Sequence, residues 1–179
     1  YFASQRPVVV FTTTGPGITN ALTGLFAARG EGAKVILLSA TTPAGNRGRW
    51  ACQETSAYTM PVTGLFTSGT LFNYATTIET GTEIPEIYRR LAGGLTHPGG
   101  FVSHISIPTP IQMAPLKTSV PRKMFTQSVP SANVEAIAKS AELLSAAPFA
   151  IWVGFGARGA AREIRALAEK TGAAVMCSP

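Results

Sequence analysis

A Gly-Pro-Gly turn at residues 15–17 is the first place where this sequence could hold a ligand. Before it, residues 8–11 read Val-Val-Val-Phe, a short β-branched run that predicts a buried strand. Glycine lets a backbone approach a ligand closely, and a helix N-terminus offers unpaired N–H groups. The stretch therefore predicts either a small concave site or a plain connecting loop of an α/β fold. A helix is predicted after the turn, because apolar residues recur there at helical spacing, at Ile18, Ala21, Leu22, Leu25 and Phe26.

Gln53 and Glu54 form a second candidate site, because they follow the loop after the next apolar run, Lys34–Ala40. In open α/β sheets the ligand-facing groups gather in such loops. The amide and the carboxylate could bond a substrate, or they could cap the helix that follows, and the sequence leaves both open. Arg47 and Arg49 lie in the same loop and could face an anionic substrate or a partner subunit, although a solvated loop is the default for both.

A third candidate is the set Gly154, Gly156 and Gly159, which satisfies the pattern G-x-G-x-x-G after a predicted strand and ahead of a predicted helix. The dinucleotide fingerprint also needs an acidic residue about 20 residues further on to hold a ribose. Residues 175–178 read Val-Met-Cys-Ser, with no carboxylate. The pattern therefore disfavours a nicotinamide site of the usual kind. It leaves open a pyrophosphate, an adenine nucleotide or a turn that only packs a helix on a sheet.

The histidines and cysteines suggest structural roles rather than a metal or nucleophilic site. His104 lies inside a predicted strand and is predicted to be a hydrogen-bonded structural residue, and His97 is predicted to cap a helix end. Cys52 and Cys177 are too far apart for a metal or redox spacing, and two cysteines favour a reducing compartment only weakly. The sequence contains no Ser-His-Asp order, no zinc spacing and no phosphate loop with Gly-Lys-Thr, and no metal ligand is predicted.

The elements that position these candidates alternate between strand and helix. Because a strand–helix–strand unit joins parallel strands, the first two strands are predicted to be parallel. A further amphipathic helix is predicted from Ile84 to Leu95, while residues 70–82 show no clear period. The predicted fold class is α/β, with a parallel sheet flanked by helices. The remaining predicted strands span residues 62–67, 101–107, 149–153 and 173–177, and the remaining predicted helices span residues 56–60, 134–144 and 160–170, the second of them capped by Ser131 or Asn133.

Composition excludes several broad classes of protein. With 45% hydrophobic and 13% charged residues, the 179-residue chain is typical of a well-buried globular protein rather than a disordered one. The net charge of +6 is scattered, and no interleaving of basic and aromatic residues favours nucleic-acid binding. No apolar run approaches the roughly 18 residues of a membrane helix, and no signal peptide is recognisable. We therefore expect neither a nucleic-acid nor a membrane partner.

Prolines divide the chain into two parts. They predict an extended, semi-rigid linker over residues 114–131, between a first domain at residues 1–113 and a second at residues 132–179. The chain begins at Tyr1 without methionine and ends at Pro179 directly behind a predicted strand. We therefore expect it to be a piece of a longer polypeptide.

Taken together, four motifs give the sequence a recognisable character. They are Thr-Gly-Pro-Gly-Ile-Thr-Asn at residues 14–20, Gln-Glu-Thr at 53–55, Pro-Gly-Gly at 98–100 and a strand that ends in Ile-Pro at 107–108. With these motifs, the chain resembles thiamine-diphosphate-dependent enzymes of the acetolactate synthase type. The resemblance implies that the first domain is the later part of a pyrimidine-binding domain whose N-terminal part is missing. It also implies that the second is the truncated start of a Rossmann-like central domain, which binds FAD or ADP in some members.

The resemblance also implies roles for particular residues. Gln53 would be a catalytic residue, and two groups of residues would bind cofactors. The glutamate that activates the cofactor lies upstream of Tyr1 in family order, and a third domain holds Mg²⁺ and the diphosphate. The expected partners are other domains of the same polypeptide and further copies, as a cytoplasmic homodimer or homotetramer with active sites between subunits. The implied cofactor-binding residues are Thr14, Gly15, Pro16, Gly17 and Asn20 for the aminopyrimidine, and Gly154, Gly156 and Arg158 for a nucleotide.

The implied reaction is the decarboxylation of a pyruvate-like 2-oxo acid, followed by transfer of the acyl-anion equivalent to an acceptor. This chain departs from the family pattern at Cys52, where phenylalanine is usual, and in its basic and bulky loop at Asn46–Trp50. These departures suggest a specialised member, and we expect residues 1–179 alone to be inactive. Two alternatives stay open, a non-catalytic binding or assembly module with the same fold and a nicotinamide-linked oxidoreductase.

Overall fold

A four-stranded parallel sheet organises the first part of the chain. Its strands are β1 (Val8–Thr12), β2 (Lys34–Thr41), β3 (Tyr74–Thr77) and β4 (Phe101–Pro108), in the order β1-β2-β4-β3. The register aligns the carboxyl ends of three strands, because Thr12 of β1 lies beside Ser39 of β2 and Ser39 lies beside Ser106 of β4. In parallel sheets this edge is where ligands bind.

The computed structural model describes residues 1–54, 59, 63–115, 119 and 131–177. It divides into two units, Tyr1–Gln127 and Ser128–Pro179, which are described separately. The predicted linker falls largely outside the described residues, as does the predicted helix at residues 56–60, so the domain boundaries stay a prediction.

Helix α1 (Pro16–Gly30) covers one face of the sheet. Proline suits its first position, because a residue there has no N–H partner within the helix. Its apolar residues Ile18 and Leu25 pack into a buried cluster with the side chains that β2 and β4 direct to this face. Burial of each such side chain stabilises the fold by about 1.5–3 kcal/mol. The sheet contributes Val35, Leu37 and Val102 to this cluster, and the segment before β3 contributes Leu71 and Phe72.

Helix α2 (Ile84–Thr96) covers the opposite face, where Ile87 packs against Ile78 and Ile105. It ends where the sequence predicts, with the N–H of His97 donating to the carbonyl of Gly93 at 3.1 Å. Lys34, at the start of β2, donates from Nζ to the carbonyls of Leu95 at 2.6 Å and His97 at 2.9 Å. A cation is favourable at a helix C-terminus. Burial nevertheless lowers the pKa of Lys34.

Three elements of this unit differ from the sequence-based prediction. The strand predicted at residues 62–67 is wrong, because Thr63–Phe66 forms a 3₁₀ turn whose Leu65 and Phe66 pack on the first buried cluster. The short strand β3, with the sequence Tyr-Ala-Thr-Thr, is not predicted. Its four residues pair in parallel with β4, a long-range contact that no local pattern reveals. A one-turn helix α3 (Thr109–Gln112) follows β4 and is also unpredicted.

The second unit contains α4 (Val134–Ala146), β5 (Ala150–Val153), α5 (Ala161–Thr171) and β6 (Ala174–Cys177), with β5 and β6 parallel. The open choice of helix cap is settled by Asn133. Its Oδ1 accepts the N–H groups of Glu135 at 2.8 Å and Ala136 at 3.2 Å.

Gly94 of α2 provides a test of how tightly this helix packs on the sheet. A Cβ at Gly94 would overlap the buried Phe101 ring, whereas a Cβ at the neighbouring Gly93 would meet no atom within 4 Å. We expect Gly94→Ala to lower the free energy of unfolding by about 1–3 kcal/mol through overpacking. Gly93→Ala is the matched control and should raise it by about 0.5–1 kcal/mol, because alanine favours a helix. Urea unfolding measures both, and equal effects would contradict the packing described here.

Candidate functional site

The backbone of Gly15 brings the first two candidate motifs together. Gly15 lies between β1 and α1 with φ at 57°, in the left-handed region that favours glycine. A Cβ at this position would lie 2.6 Å from the carbonyl oxygen of Gln53. Contact between the two segments therefore requires glycine here, and it places the Gly-Pro-Gly turn directly against the Gln-Glu segment.

Two threonines of the same turn bond to Gln53. The Thr13 hydroxyl lies 3.2 Å from Oε1 of Gln53, and the Thr14 hydroxyl donates to the Gln53 carbonyl at 3.1 Å. Gln53 itself has a φ of 57°, a conformation uncommon for a residue with a side chain. Such conformations persist where surrounding contacts fix them, and they concentrate at functional sites. The structure thus brings Thr14, Gly15 and Gln53 together, and their roles in cofactor binding and catalysis stay predictions.

The start of α1 does not offer the free N–H groups that its position suggested. The N–H of Gly17 donates to the Thr14 carbonyl, and those of Ile18 and Thr19 donate to the Gly15 carbonyl at 3.0 and 3.1 Å. Because these donors are already paired, this helix end is poorly suited to a phosphate group.

The other residues predicted on α1 have two different surroundings. Pro16 and Asn20 are exposed and share one side of the helix, being four residues apart. Gly17 instead packs on its own chain, since a Cβ there would lie 3.2 Å from Cβ of Thr12.

Glu54 closes the loop that precedes it. Its side chain is buried, with 8% of the residue exposed, and its carboxylate accepts the N–H groups of Gly48 at 2.6 Å and Ala51 at 3.3 Å. Hydrogen bonds to a carboxylate are stronger than those between neutral groups. These bonds join Glu54 to its own loop. The helix predicted after it lies outside the described residues, so both roles that the sequence left open, capping that helix and binding a substrate, stay predictions.

The two arginines of this loop have different surroundings. Arg47 donates from Nε to the Thr42 carbonyl at 3.0 Å and forms an ion pair with Glu79 at 2.9 Å. It therefore ties the loop to the end of the sheet. Arg49 is exposed and has no ion-pair partner among the described residues. Its neighbour Trp50 is 82% exposed and, like Gln53, has a φ of 57°.

His104 has the structural role that the sequence predicts. Its Nε2 lies 2.8 Å from the Ser39 hydroxyl and 3.2 Å from the Ser106 hydroxyl. The rings of Phe66 and Phe72 lie beside it, with centroids at 6.0 and 5.0 Å. Burial lowers the pKa of His104 to about 4, so the imidazole is neutral near pH 7.

The sequence did not single out Thr12, Thr13 or Trp50. Oγ1 of Thr12 is buried at the end of β1 and has no hydrogen-bond partner among the described residues. A run of three threonines before a Gly-Pro-Gly turn was the available signal for Thr12 and Thr13. A tryptophan beside glycine and arginine in a polar loop was the signal for Trp50.

The glycine-rich segment of the second unit forms a 3₁₀ turn, Phe155–Ala160. A Cβ at Gly154, Gly156 or Gly159 would meet no atom within 4 Å, and none of the three has a left-handed φ. The guanidinium of Arg158 lies 4.7 Å from the centroid of the Phe155 ring. The contacts of the described chain do not require these glycines, so their role in binding a nucleotide stays a prediction.

The described residues hold no group of three or more His, Cys, Asp or Glu side chains that could bind a metal ion. The helices found in that same part of the chain are all too short or too polar to cross a membrane. Cys52 and Cys177 are both exposed free thiols.

Comparison with known proteins gives this geometry a family context. Residues 1–60 match the family described as thiamine pyrophosphate enzyme, N-terminal TPP binding domain. A solved structure from Mycobacterium smegmatis, described as a "putative thiamin diphosphate-dependent enzyme", superposes with a TM-score of 0.77 at 22% identity. The superposition covers 98% of this chain and 33% of the chain in that structure. The predicted fold class and the predicted resemblance to thiamine-diphosphate-dependent enzymes are therefore confirmed.

Within that class, the curated relatives carry two kinds of name. A probable 2-ketoarginine decarboxylase of Pseudomonas aeruginosa is 28% identical over 98% of this chain and 31% of its own length. The acetolactate synthase isozyme 1 large subunit of Escherichia coli is 28% identical over 92% of this chain and 28% of its own length. A probable acetolactate synthase large subunit of Methanocaldococcus jannaschii is 34% identical over 62% of this chain and 17% of its own length. The chain thus spans less than a third of each of these proteins.

The buried His104 predicts a defined dependence of stability on pH. Its pKa in the folded protein is about 4, below the ordinary 6.5, so the unfolded chain takes up the proton first as the pH falls. The stability that the neutral imidazole contributes is therefore present above pH 6.5 and is lost between about pH 6.5 and pH 4. The loss should reach about 3 kcal/mol, and urea unfolding across this range measures it.

His104→Asn is the control for this measurement, because asparagine keeps a hydrogen-bonding side chain that does not titrate. In this variant the contribution of His104 to the slope of the unfolding free energy against pH should disappear. An unchanged slope between pH 6.5 and pH 4 would show that other groups cause it.

Proposed function

We propose that this chain belongs to an enzyme that uses thiamine diphosphate to decarboxylate a 2-oxo acid and to transfer the resulting acyl group to an acceptor. Its first unit binds the aminopyrimidine end of the cofactor. The observation that carries the proposal is the contact of Gly15 with Gln53, which joins two sequence motifs 38 residues apart at the carboxyl edge of the parallel sheet.

The chemistry of the side chains at this edge fits a neutral heteroaromatic ring. The polar side chains at the turn include the hydroxyls of Thr12, Thr13 and Thr14 and the Gln53 amide, all uncharged. The buried Thr12 hydroxyl lacks a partner among the described residues, and a buried polar group left unpaired is costly. The paired N–H groups at the start of α1 match a site that holds the ring and leaves the diphosphate to another part of the enzyme.

Thiamine diphosphate, when bound, supplies a nucleophilic carbon and accepts the electron pair that the departing carbon dioxide leaves behind. The chain's own residues position the cofactor ring and enclose the site. Gly15 lets the turn close against Gln53, Thr13 and Thr14 hold the Gln53 segment, and Glu54 fixes the loop that borders the site. In this proposal the exposed amide of Gln53 hydrogen-bonds the substrate, which gives it a role at the reacting end.

The finer features of the proposal rest on the relatives' names and on the family resemblance. A 2-oxo acid donor agrees with a decarboxylase named for 2-ketoarginine and with the acetolactate synthases. Mg²⁺ and the diphosphate are held by a domain outside this chain, and the active sites lie between subunits of a cytoplasmic homodimer or homotetramer. The second unit, with its glycines and Arg158, binds FAD or ADP.

Gly15→Ala in the natural gene product that contains residues 1–179 tests the proposal. The new methyl group would strain a left-handed backbone and push Gln53 away. We expect the dissociation constant of thiamine diphosphate to rise about tenfold or more and the decarboxylation rate to fall with it, since a small misplacement of a positioning group is costly. Fluorescence titration and a carbon dioxide release assay measure the two quantities.

Gly24→Ala is the matched control, because Gly24 lies on α1 where a Cβ meets no atom within 4 Å. Its cofactor affinity should equal that of the wild type. Thr14→Val, which removes one hydrogen bond to Gln53, guards against misfolding of Gly15→Ala. Unchanged affinity in both Gly15→Ala and Thr14→Val would overturn the placement. Cofactor binding without decarboxylation of any 2-oxo acid would favour a non-catalytic module.

A further inference from the structure

The loop over residues 42–54 is fixed at several points, and its exposed side chains include Arg49 and Trp50. Arg47 bonds the loop to Thr42 and Glu79, and the buried Glu54 carboxylate bonds its backbone at Gly48 and Ala51. Between these anchors, Arg49 and Trp50 are exposed. The loop therefore presents a guanidinium and an indole on a backbone that internal hydrogen bonds hold in place.

Trp50 has two unusual features at once. It is among the most exposed large apolar side chains of the described residues, so burial in the core does not account for it. Its φ of 57° is a conformation that bulky residues rarely adopt. An exposed indole held in a sparsely populated backbone conformation is a candidate for contact with a ligand.

The position of Trp50 relative to Gln53 limits where the indole can act. Three residues span at most about 11 Å, so the two Cα atoms lie within that distance of each other. Gln53 in turn touches Gly15 at the edge of the sheet. The indole therefore belongs to the same short segment as the Gln53 amide, next to the proposed site.

We infer that Trp50 sets the substrate preference of the proposed enzyme by packing against a bulky aromatic side chain of the 2-oxo acid. The inference rests on the proposed function and deepens it. Indole and phenyl rings attract each other beyond their area of burial. The adjacent Arg49, which forms no ion pair with another described residue, repels a cationic side chain, which is a second source of selectivity. The substrate class is thus an aryl 2-oxo acid such as phenylpyruvate, in preference to pyruvate or to a guanidinium-bearing 2-oxo acid.

The test compares variants of the natural gene product, loaded with thiamine diphosphate and Mg²⁺. The measured quantity is kcat/KM for phenylpyruvate, pyruvate and 2-ketoarginine. The wild type should favour phenylpyruvate about tenfold or more. Trp50→Ala should remove most of this preference through loss of activity on phenylpyruvate, and Trp50→Phe should retain it, because changes in a hydrophobic pocket shift such ratios by about 10- to 200-fold.

Phe26→Ala is the control for loss of an exposed aromatic residue. Phe26 lies ten residues into α1, about 15 Å along the helix from the turn, toward the opposite end of the strands. The ratios of kcat/KM among the three acids should be the same in this variant as in the wild type. Arg49→Gln should raise the ratio of kcat/KM for 2-ketoarginine to that for pyruvate, and an unchanged ratio would contradict the role given to Arg49.

A second readout does not depend on turnover. Calorimetry should give an affinity of cofactor-free wild type for phenylpyruvate that falls about tenfold in Trp50→Ala and is retained in Trp50→Phe. Unchanged ratios and unchanged affinity in Trp50→Ala would overturn the inference while the proposed function stands. A wild type that binds thiamine diphosphate yet decarboxylates none of the three acids would overturn the proposed reaction, and the calorimetry then decides the role of Trp50.

Discussion

The absence of one carbon atom at Gly15 is the constraint on which the candidate site depends. The turn after β1 and the loop after β2 approach so closely there that a Cβ would lie 2.6 Å from the Gln53 carbonyl. That approach allows Thr13 and Thr14 to bond the Gln53 segment, and it occurs where the ends of neighbouring parallel strands already converge. The site is thus a junction of two loops, and the sheet beneath sets the distance between them.

The sequence predicted the main elements of this architecture because their signals are local. A run of β-branched residues, a Gly-Pro-Gly break and a helical repeat identify β1, its turn and α1 within about 20 residues, and α2 follows from its apolar stripe. The strand β3 was not predicted because its four residues of mixed polarity pair with residues of β4 that lie 29 positions further along the chain. The apolar residues at 62–67 led to a wrong strand prediction, because Leu65 and Phe66 pack on the buried cluster without joining the sheet.

The same division applies to the site. Motifs indicated Gly15 and Gln53 separately, yet only the folded chain shows that the two touch. The sequence could not tell that the carboxylate of Glu54 turns back onto its own loop, since that depends on how Gly48 and Ala51 are folded around it. Nor could it separate Arg47 from Arg49, because the partner of Arg47, Glu79, lies 32 residues away.

Lys34 has a consequence for the chemistry of the protein surface. Its ammonium group donates to the carbonyls of Leu95 and His97, so an amine-reactive acylating reagent should react with it faster when the end of α2 separates from β2 and these bonds break. Exposed lysines such as Lys139 and Lys170 react without any such opening. The rate at which Lys34 is labelled, relative to the rates of these lysines, therefore reports how often the C-terminal end of α2 opens. This helix end lies at the opposite end of the sheet from the Gly-Pro-Gly turn.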